Sequence, residues 1–220
     1  MSLIDDINFA HNREPRCPVI LLLDTSYSMQ GQPIQELNAG IQAFKQAVAR
    51  DERASVQVEV SIITFGGKVE IAHDFVSIQD FQPKNLSVNG DTPMGKAIEI
   101  AIDQLEARKA IYKSYGVPYY QPWLFLITDG EPTDHWNTAA QRVRQAQADK
   151  KISFYAVGVQ GANLEKLKQI APINRSPVML DGLKFKQMFQ WLSSSVQRVS
   201  QSAPGEQVDL DPISGWAKAG

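Results

Sequence analysis

The sequence predicts a single α/β domain, doubly wound and Rossmann-like, with a mostly parallel central sheet, one antiparallel edge strand and helices on both faces. Three observations predict it. The runs Val19–Leu23 and Trp123–Thr128 are short, apolar and unbroken, as strands buried on both faces must be. Segments of helical period alternate with the strand-like runs, which is the signature of crossover connections and a parallel sheet. Gly66-Gly67 separates two β-prone runs, as a tight hairpin does, and places an antiparallel pair at one edge.

Taken in order, residues 1–16 form a lead-in, residues 17–200 the domain, and residues 201–220 a tail expected to pack on the domain through Val208, Leu210, Ile213 and Trp216. After the first strand, Pro33 opens a helix whose Ile34, Leu37, Ile41, Phe44 and Val48 share one face. Val56, Val58, Val60 and Ile62 alternate with Gln57, Glu59 and Ser61, which predicts a strand exposed on one side. Lys68–Ala72 pairs with it across the glycines, and residues 73–91 read as irregular chain. Pro93 suits a first helical position, which makes Thr92 the cap of a helix carrying Met94, Ala97, Ile98, Ala101, Ile102 and Leu105 inward. Thr133 or Asp134 is placed to cap the helix after Trp123–Thr128. A strand over Ile152–Val159, a short helix over Asn163–Ile170, a strand over Val178–Leu180 and an amphipathic helix over Leu183–Val199 complete the pattern.

Composition narrows the function. The 220 residues carry 22 basic and 24 acidic side chains, a formal charge of −2, so there is no basic footprint for nucleic acid or an anionic membrane. One cysteine, Cys17, excludes an internal disulfide and a cysteine-built zinc site, and three scattered histidines exclude a histidine-rich one. No window approaches the roughly 20 apolar residues of a membrane span, and the first residues lack the apolar stretch of a signal peptide. A cytoplasmic protein is expected.

The chemistry gathers at strand ends. Asp24 closes the first apolar run, with Ser26 and Ser28 two and four residues on; Thr92 stands at a helix start; Asp129 closes the second doubly buried run. Each has a plain local reading: Asp24 as turn former, Thr92 as cap, Asp129-Gly130 as a common turn. Together they put five oxygen-bearing side chains at the carboxyl edge of the inferred sheet, where open α/β folds bind ligands. Such a set suits a hard cation, Mg²⁺, Mn²⁺ or Ca²⁺. His135 and Asp134 are further candidates, as a general base beside a metal or as first-turn helix residues facing solvent. The tyrosines 112, 115, 119 and 120 with Trp123 fit either a partner surface or a cover over the sheet. No phosphate-binding G-x-x-x-x-G-K-[ST] and no G-x-S-x-G elbow occurs.

The motifs DTSYS, GDTP and TDGEPTD resemble the metal-ion-dependent adhesion site of von Willebrand factor type A domains, D-x-S-x-S with a distant Thr and a distant Asp. The segments GVPYYQPWLFLITDGEPTD and GLKFKQMFQWLSSSVQRVS and the tail resemble, more narrowly, the TerY-like tellurite-resistance family of bacteria. The resemblance implies a divalent metal, Mg²⁺ first with Mn²⁺ or Ca²⁺ as alternatives. Ser26, Ser28 and Thr92 would hold it directly, and Asp24 and Asp129 directly or through water. It also implies a non-enzymatic module that binds an acidic group of a partner protein, in a setting of tellurite resistance or chemical stress with an associated protein kinase and 2C-type phosphatase. The rival reading is a metal-dependent phosphohydrolase using Asp24, Asp129 and His135. Another is a scaffold whose metal only stabilises the fold.

Overall fold

A computed structural model describes Phe9 and residues 12–219. Most of the expected lead-in, residues 1–16, lies outside the described residues. Strand β1 (Cys17–Asp24) is buried along its whole length, and its alternate side chains feed two separate cores. Val19, Leu21 and Leu23 enter one apolar cluster, Ile20 and Leu22 the other, which is the period-two alternation of a strand with a layer on each side. β2 (Val58–Gly66) and β4 (Trp123–Thr128) flank β1 in parallel. β5 (Ser153–Gly158) and β6 (Val178–Leu180) continue the parallel sheet beyond β4. The order is β3-β2-β1-β4-β5-β6-β7, with β3 (Lys68–Ser77) the expected antiparallel edge. The chain leaves β1 toward one side and returns to β4 on the other, so the winding reverses between β1 and β4 and opens a crevice outside their carboxyl ends.

Helices α1 (Gln32–Ala49) and α6 (Phe185–Ser200) cover one face, where Leu37, Ile41 and Phe44 share a core with Phe185, Phe189 and Leu192. Helices α3 (Met94–Ser114), α4 (Asn137–Ala148) and α5 (Leu164–Ile170) cover the other. Among the described residues no helix is long and apolar enough to cross a membrane.

Three local expectations are corrected. β2 is buried on both faces rather than exposed on one. Its polar positions are met by partners distant in sequence: Glu59 is ion-paired to Arg16 at 3.2 Å and Arg108 at 2.8 Å and accepts the Tyr112 hydroxyl at 2.5 Å, while Ser61 donates to the His73 carbonyl. A buried carboxylate persists when its charge and lone pairs are matched this way. The strand begins at Val58 because residues Ala54–Gln57 make a helical turn, α2, whose first amide, Ala54 N, donates to the Asp51 carboxylate at 2.8 Å. β3 extends through Ser77, so part of the stretch read as irregular is ladder.

The tail folds back. Trp216 packs against Trp191 with ring centroids 5.3 Å apart and planes tilted by 52°, the Trp191 indole donates to the Asp211 carbonyl at 2.7 Å, and Arg198 reaches the Asp211 carboxylate at 2.7 Å. Residues Ala217–Ala219 then add β7, antiparallel to β6, a strand too short to show periodicity in the sequence. The aromatic group from the end of α3 to the start of β4 is largely a cover over the sheet: Tyr112 and Trp123 are buried, and the Tyr120 hydroxyl donates to the Ser202 carbonyl at 2.8 Å.

Candidate functional site

The crevice between β1 and β4 receives three loops. β1 delivers Asp24 to its carboxyl end fully buried. There Oδ1 accepts the Ser26 amide at 2.8 Å, the turn a short carboxylate side chain makes with the amide two residues on. The chain continues into one turn of 3₁₀-helix, Tyr27–Met29, which brings Ser28 back beside Ser26 with their hydroxyls 2.9 Å apart. Ser28 Oγ donates to Asp129 Oδ1 at 2.6 Å, across 101 residues of sequence. The other Asp24 oxygen, Oδ2, accepts Thr128 Oγ1 at 2.5 Å, which ties the ends of β1 and β4 together.

Thr92 arrives on the third loop. That loop is pinned to the first one, with the Asn89 amide on the Thr25 carbonyl at 2.7 Å and the Tyr27 amide on the Gly90 carbonyl at 3.1 Å. It is pinned to the loop after β4 by two bonds between Thr92 and Thr133: the Thr133 amide on the Thr92 carbonyl at 2.9 Å and the Thr92 amide on Thr133 Oγ1 at 3.1 Å. Gly130 locates its hydroxyl. A methyl group on Gly130 would stand 3.0 Å from Thr92 Oγ1 and 3.4 Å from Asp24 Oδ2, so both oxygens border the same small volume, and glycine keeps it clear.

Thr92 does not cap its helix, contrary to expectation, and neither Thr133 nor Asp134 caps α4. The first-turn amides of α3 are satisfied from another loop: the Asp134 carboxylate accepts Gly95 N at 2.9 Å and Lys96 N at 2.8 Å. With Asp134 on those amides, the Thr92 hydroxyl has no capping duty. The close approach behind it needs Gly95, where a methyl group would meet the His135 carbonyl at 2.5 Å. The His135 side chain itself is exposed.

The electrostatics follow from burial. Desolvation pushes the Asp24 carboxyl up to about 6, against hydrogen bonds from Ser26 and Thr128, and the neighbouring Asp129 charge adds to the rise. Burial raises Asp129 as well, against its bond from Ser28. Among the described residues neither carboxylate is ion-paired to a lysine or arginine. Two buried carboxylates and three hydroxyls with no cationic side chain among them make a donor set that fits a hard divalent cation, whose charge would favour both ionised forms. Among the described residues no group of three or more His, Cys, Asp and Glu side chains gathers around a metal position, so this oxygen set is built of hydroxyls more than of acids.

The structure thus brings Asp24, Ser26, Ser28, Thr92 and Asp129 to one crevice. Sequence reasoning missed Thr128 and Gly130, which hold that geometry. A lone hydroxyl closing an otherwise apolar strand was the available signal for Thr128. The helix-capping role of Asp134 had no local signal, because its partners lie 38 and 39 residues away.

A model of the von Willebrand factor type A domain matches residues 19–191. Among solved structures, the chain is similar to the protein BatB of Bacteroides thetaiotaomicron, with 20% identity and a TM-score of 0.57 over 84% of this chain and 100% of that one. It is similar to the pilus adhesin SpaC of Lactobacillus rhamnosus GG in its open conformation, with 13% identity and a TM-score of 0.67 over 86% of this chain and 31% of that one. It is also similar to proximal thread matrix protein 1 of the mussel byssus, solved with a zinc-occupied metal-ion-dependent adhesion motif, with 17% identity and a TM-score of 0.54 over 86% of this chain and 47% of that one. The chain spans less than half the length of the adhesin and of the byssus protein. These identities speak to the fold. A search of curated proteins gives no significant match.

Proposed function

The chain belongs to the von Willebrand factor type A family, and on that premise we propose that it is a non-enzymatic binding module that takes an acidic side chain of a partner protein through a divalent cation. The observation that carries this reading is the convergence of Asp24, Ser26, Ser28, Thr92 and Asp129 on one crevice without a cationic side chain. Ser26, Ser28 and Thr92 would hold the cation through their hydroxyls, and Asp24 and Asp129 would reach it directly or through water.

When bound, the cation supplies Lewis acidity that three neutral hydroxyls and two carboxylates leave incompletely neutralised, so a guest carboxylate can bind it. The chain does the rest. Asp24 fixes the Ser26 turn, Thr128 fixes Asp24, and Gly130 keeps side-chain atoms out of the crevice. Mg²⁺ is the favoured ion on the hardness of the donors, with Mn²⁺ and Ca²⁺ as alternatives. The zinc found in the byssus protein supports divalent occupancy of this kind of motif in the family.

The likeness of the tail and of the segment before Asp129 to the TerY-like family supports a cytoplasmic role in tellurite resistance or a related chemical stress, with a protein kinase and a 2C-type phosphatase as candidate partners. The phosphohydrolase reading is the weaker. It needs His135 as a base, and that side chain is exposed, while Asp134 is engaged in capping α3. Two-metal hydrolysis also requires more carboxylates than Asp24 and Asp129.

The test is retention of candidate partners by the immobilised protein in Mg²⁺ and in EDTA, for wild type and Asp24→Ala. Binding that requires the metal and disappears in the variant supports the reading. Normal binding by a folded Asp24→Ala protein overturns it.

A further inference from the structure

A cavity of about 530 Å³ lies at the opposite end of the sheet from Asp24, bordered by the first residues of β4 and β5 and walled on one side by tail residues 205–210. Its lining departs from the charge of the chain. It carries five cations, Lys109, Lys113, Lys150, Lys151 and Arg175, against two acids, Glu106 and Glu206, in a protein of net charge −2.

One of those cations has a buried donor with no acceptor, and a second has donors to spare. Lys109 is only 5% exposed, and its three-donor amine has Glu106 Oε1 as its partner, at 2.5 Å. Arg175 lies with its guanidinium 4.2 Å from the centre of the Tyr155 ring, and its Nη1 is buried with no hydrogen-bond acceptor. A buried cationic donor without an acceptor is costly, and Arg175 Nη1 is one; Lys109, already ion-paired to Glu106, brings two further N–H donors to the same cavity. Lys113 and Lys150 add two exposed amines at the rim with no ion-pair partner among the described residues, while Lys151 pairs with Asp149.

We propose that this cavity binds a phosphate-bearing small molecule, its oxygens accepting from Lys109 and Arg175 in the interior and its charge neutralised by Lys113 and Lys150 at the rim. A single carboxylate offers two oxygens and one charge. A phosphoryl group offers three acceptor oxygens and close to two charges, which matches the number of donors better. The volume falls within the range of small-ligand sites. Arg175 rests on Tyr155, which fixes the plane of its donors and supports contact with more than one oxygen.

Isothermal titration of the full chain with inorganic pyrophosphate and, separately, with ADP tests this, in EDTA so that no divalent ion can carry phosphate to the crevice at Asp24. The expected result is saturable one-to-one binding with Kd below about 1 mM. It should weaken by about tenfold or more in Arg175→Gln and in the rim variant Lys113→Glu/Lys150→Glu. Tighter binding of ADP than of pyrophosphate assigns the aromatic wall to the base, and equal binding assigns the site to phosphate alone; either supports the proposal. No saturable heat up to about 5 mM of both probes, or binding unchanged in both variants, overturns it.

Discussion

Thr128 Oγ1 donates to Asp24 Oδ2 at 2.5 Å and accepts the Gly130 amide at 3.1 Å, so one hydroxyl at the end of β4 holds both the buried carboxylate of β1 and the turn that carries Asp129. Thr128→Val removes this bridge at almost constant volume. It should cost about 1–3 kcal/mol in urea unfolding, because a buried carboxylate oxygen loses its donor. It should also weaken Mn²⁺ binding, and Thr128→Ser should restore most of both.

Asp134 satisfies the first-turn amides of α3 that Thr92's position implied Thr92 would cap, and two substitutions separate the two residues. Asp134→Ala strips the cap from α3 and should cost about 1–2 kcal/mol in thermal or urea unfolding. Thr92→Val leaves the cap alone, so its stability should change by about 0.5 kcal/mol or less while Mn²⁺ affinity falls. Equal loss of stability in both variants would return Thr92 to a capping role.

The raised Asp24 carboxyl makes the metal-free protein sensitive to pH in a defined direction. Its folded value is about 6, against about 3.9 in an unfolded chain. The folded state therefore binds the proton more tightly, and stability present below about pH 4 is lost as pH rises through about 6. The loss is at most about 3 kcal/mol, because the folded and unfolded values stand roughly two pH units apart and each pH unit is worth about 1.4 kcal/mol. Urea midpoints of EDTA-treated protein at pH 4.5 and pH 7 should show it, and Asp24→Asn should flatten the difference. Mg²⁺ should raise the melting temperature more at pH 7 than at pH 5, because the proton competes for the same oxygens.

Glu59 sits between Arg16 and Arg108 with the Tyr112 hydroxyl on one oxygen, all four side chains buried. Glu59→Gln removes the negative charge that faces the Arg16 and Arg108 guanidinium groups. Unfolding free energy should fall by about 3–5 kcal/mol, the size of a broken buried pair. Metal affinity should change little in the folded fraction, since the group lies far along β2 from the crevice.

What could be read from the chain beforehand has a physical pattern. Doubly buried strands such as Val19–Leu23 announce themselves because nothing polar interrupts them, and the helices of both layers show their inward faces by period. The five oxygens of the crevice were legible because carboxylates and hydroxyls at strand ends are in the right place for a ligand whatever the details of the loops. Glu59 misled because its compensation comes from Arg16 and Arg108, 43 and 49 residues away, and alternation alone reports local polarity rather than burial. Thr92 misled in the same way: a Thr before Pro reads as a cap until a carboxylate from another loop takes the amides. β7 was invisible because three residues carry no period.

The proposed role needs these five side chains to hold one hard cation. Anomalous diffraction from crystals soaked in millimolar MnCl₂ tests it most directly. A single strong peak is expected in the crevice, coordinated by the hydroxyls of Ser26, Ser28 and Thr92, with Asp24 and Asp129 in direct or water-bridged contact and one position left for a carboxylate. An ordered crevice in which Ser26 and Ser28 keep their mutual hydrogen bond and no anomalous density appears would contradict it.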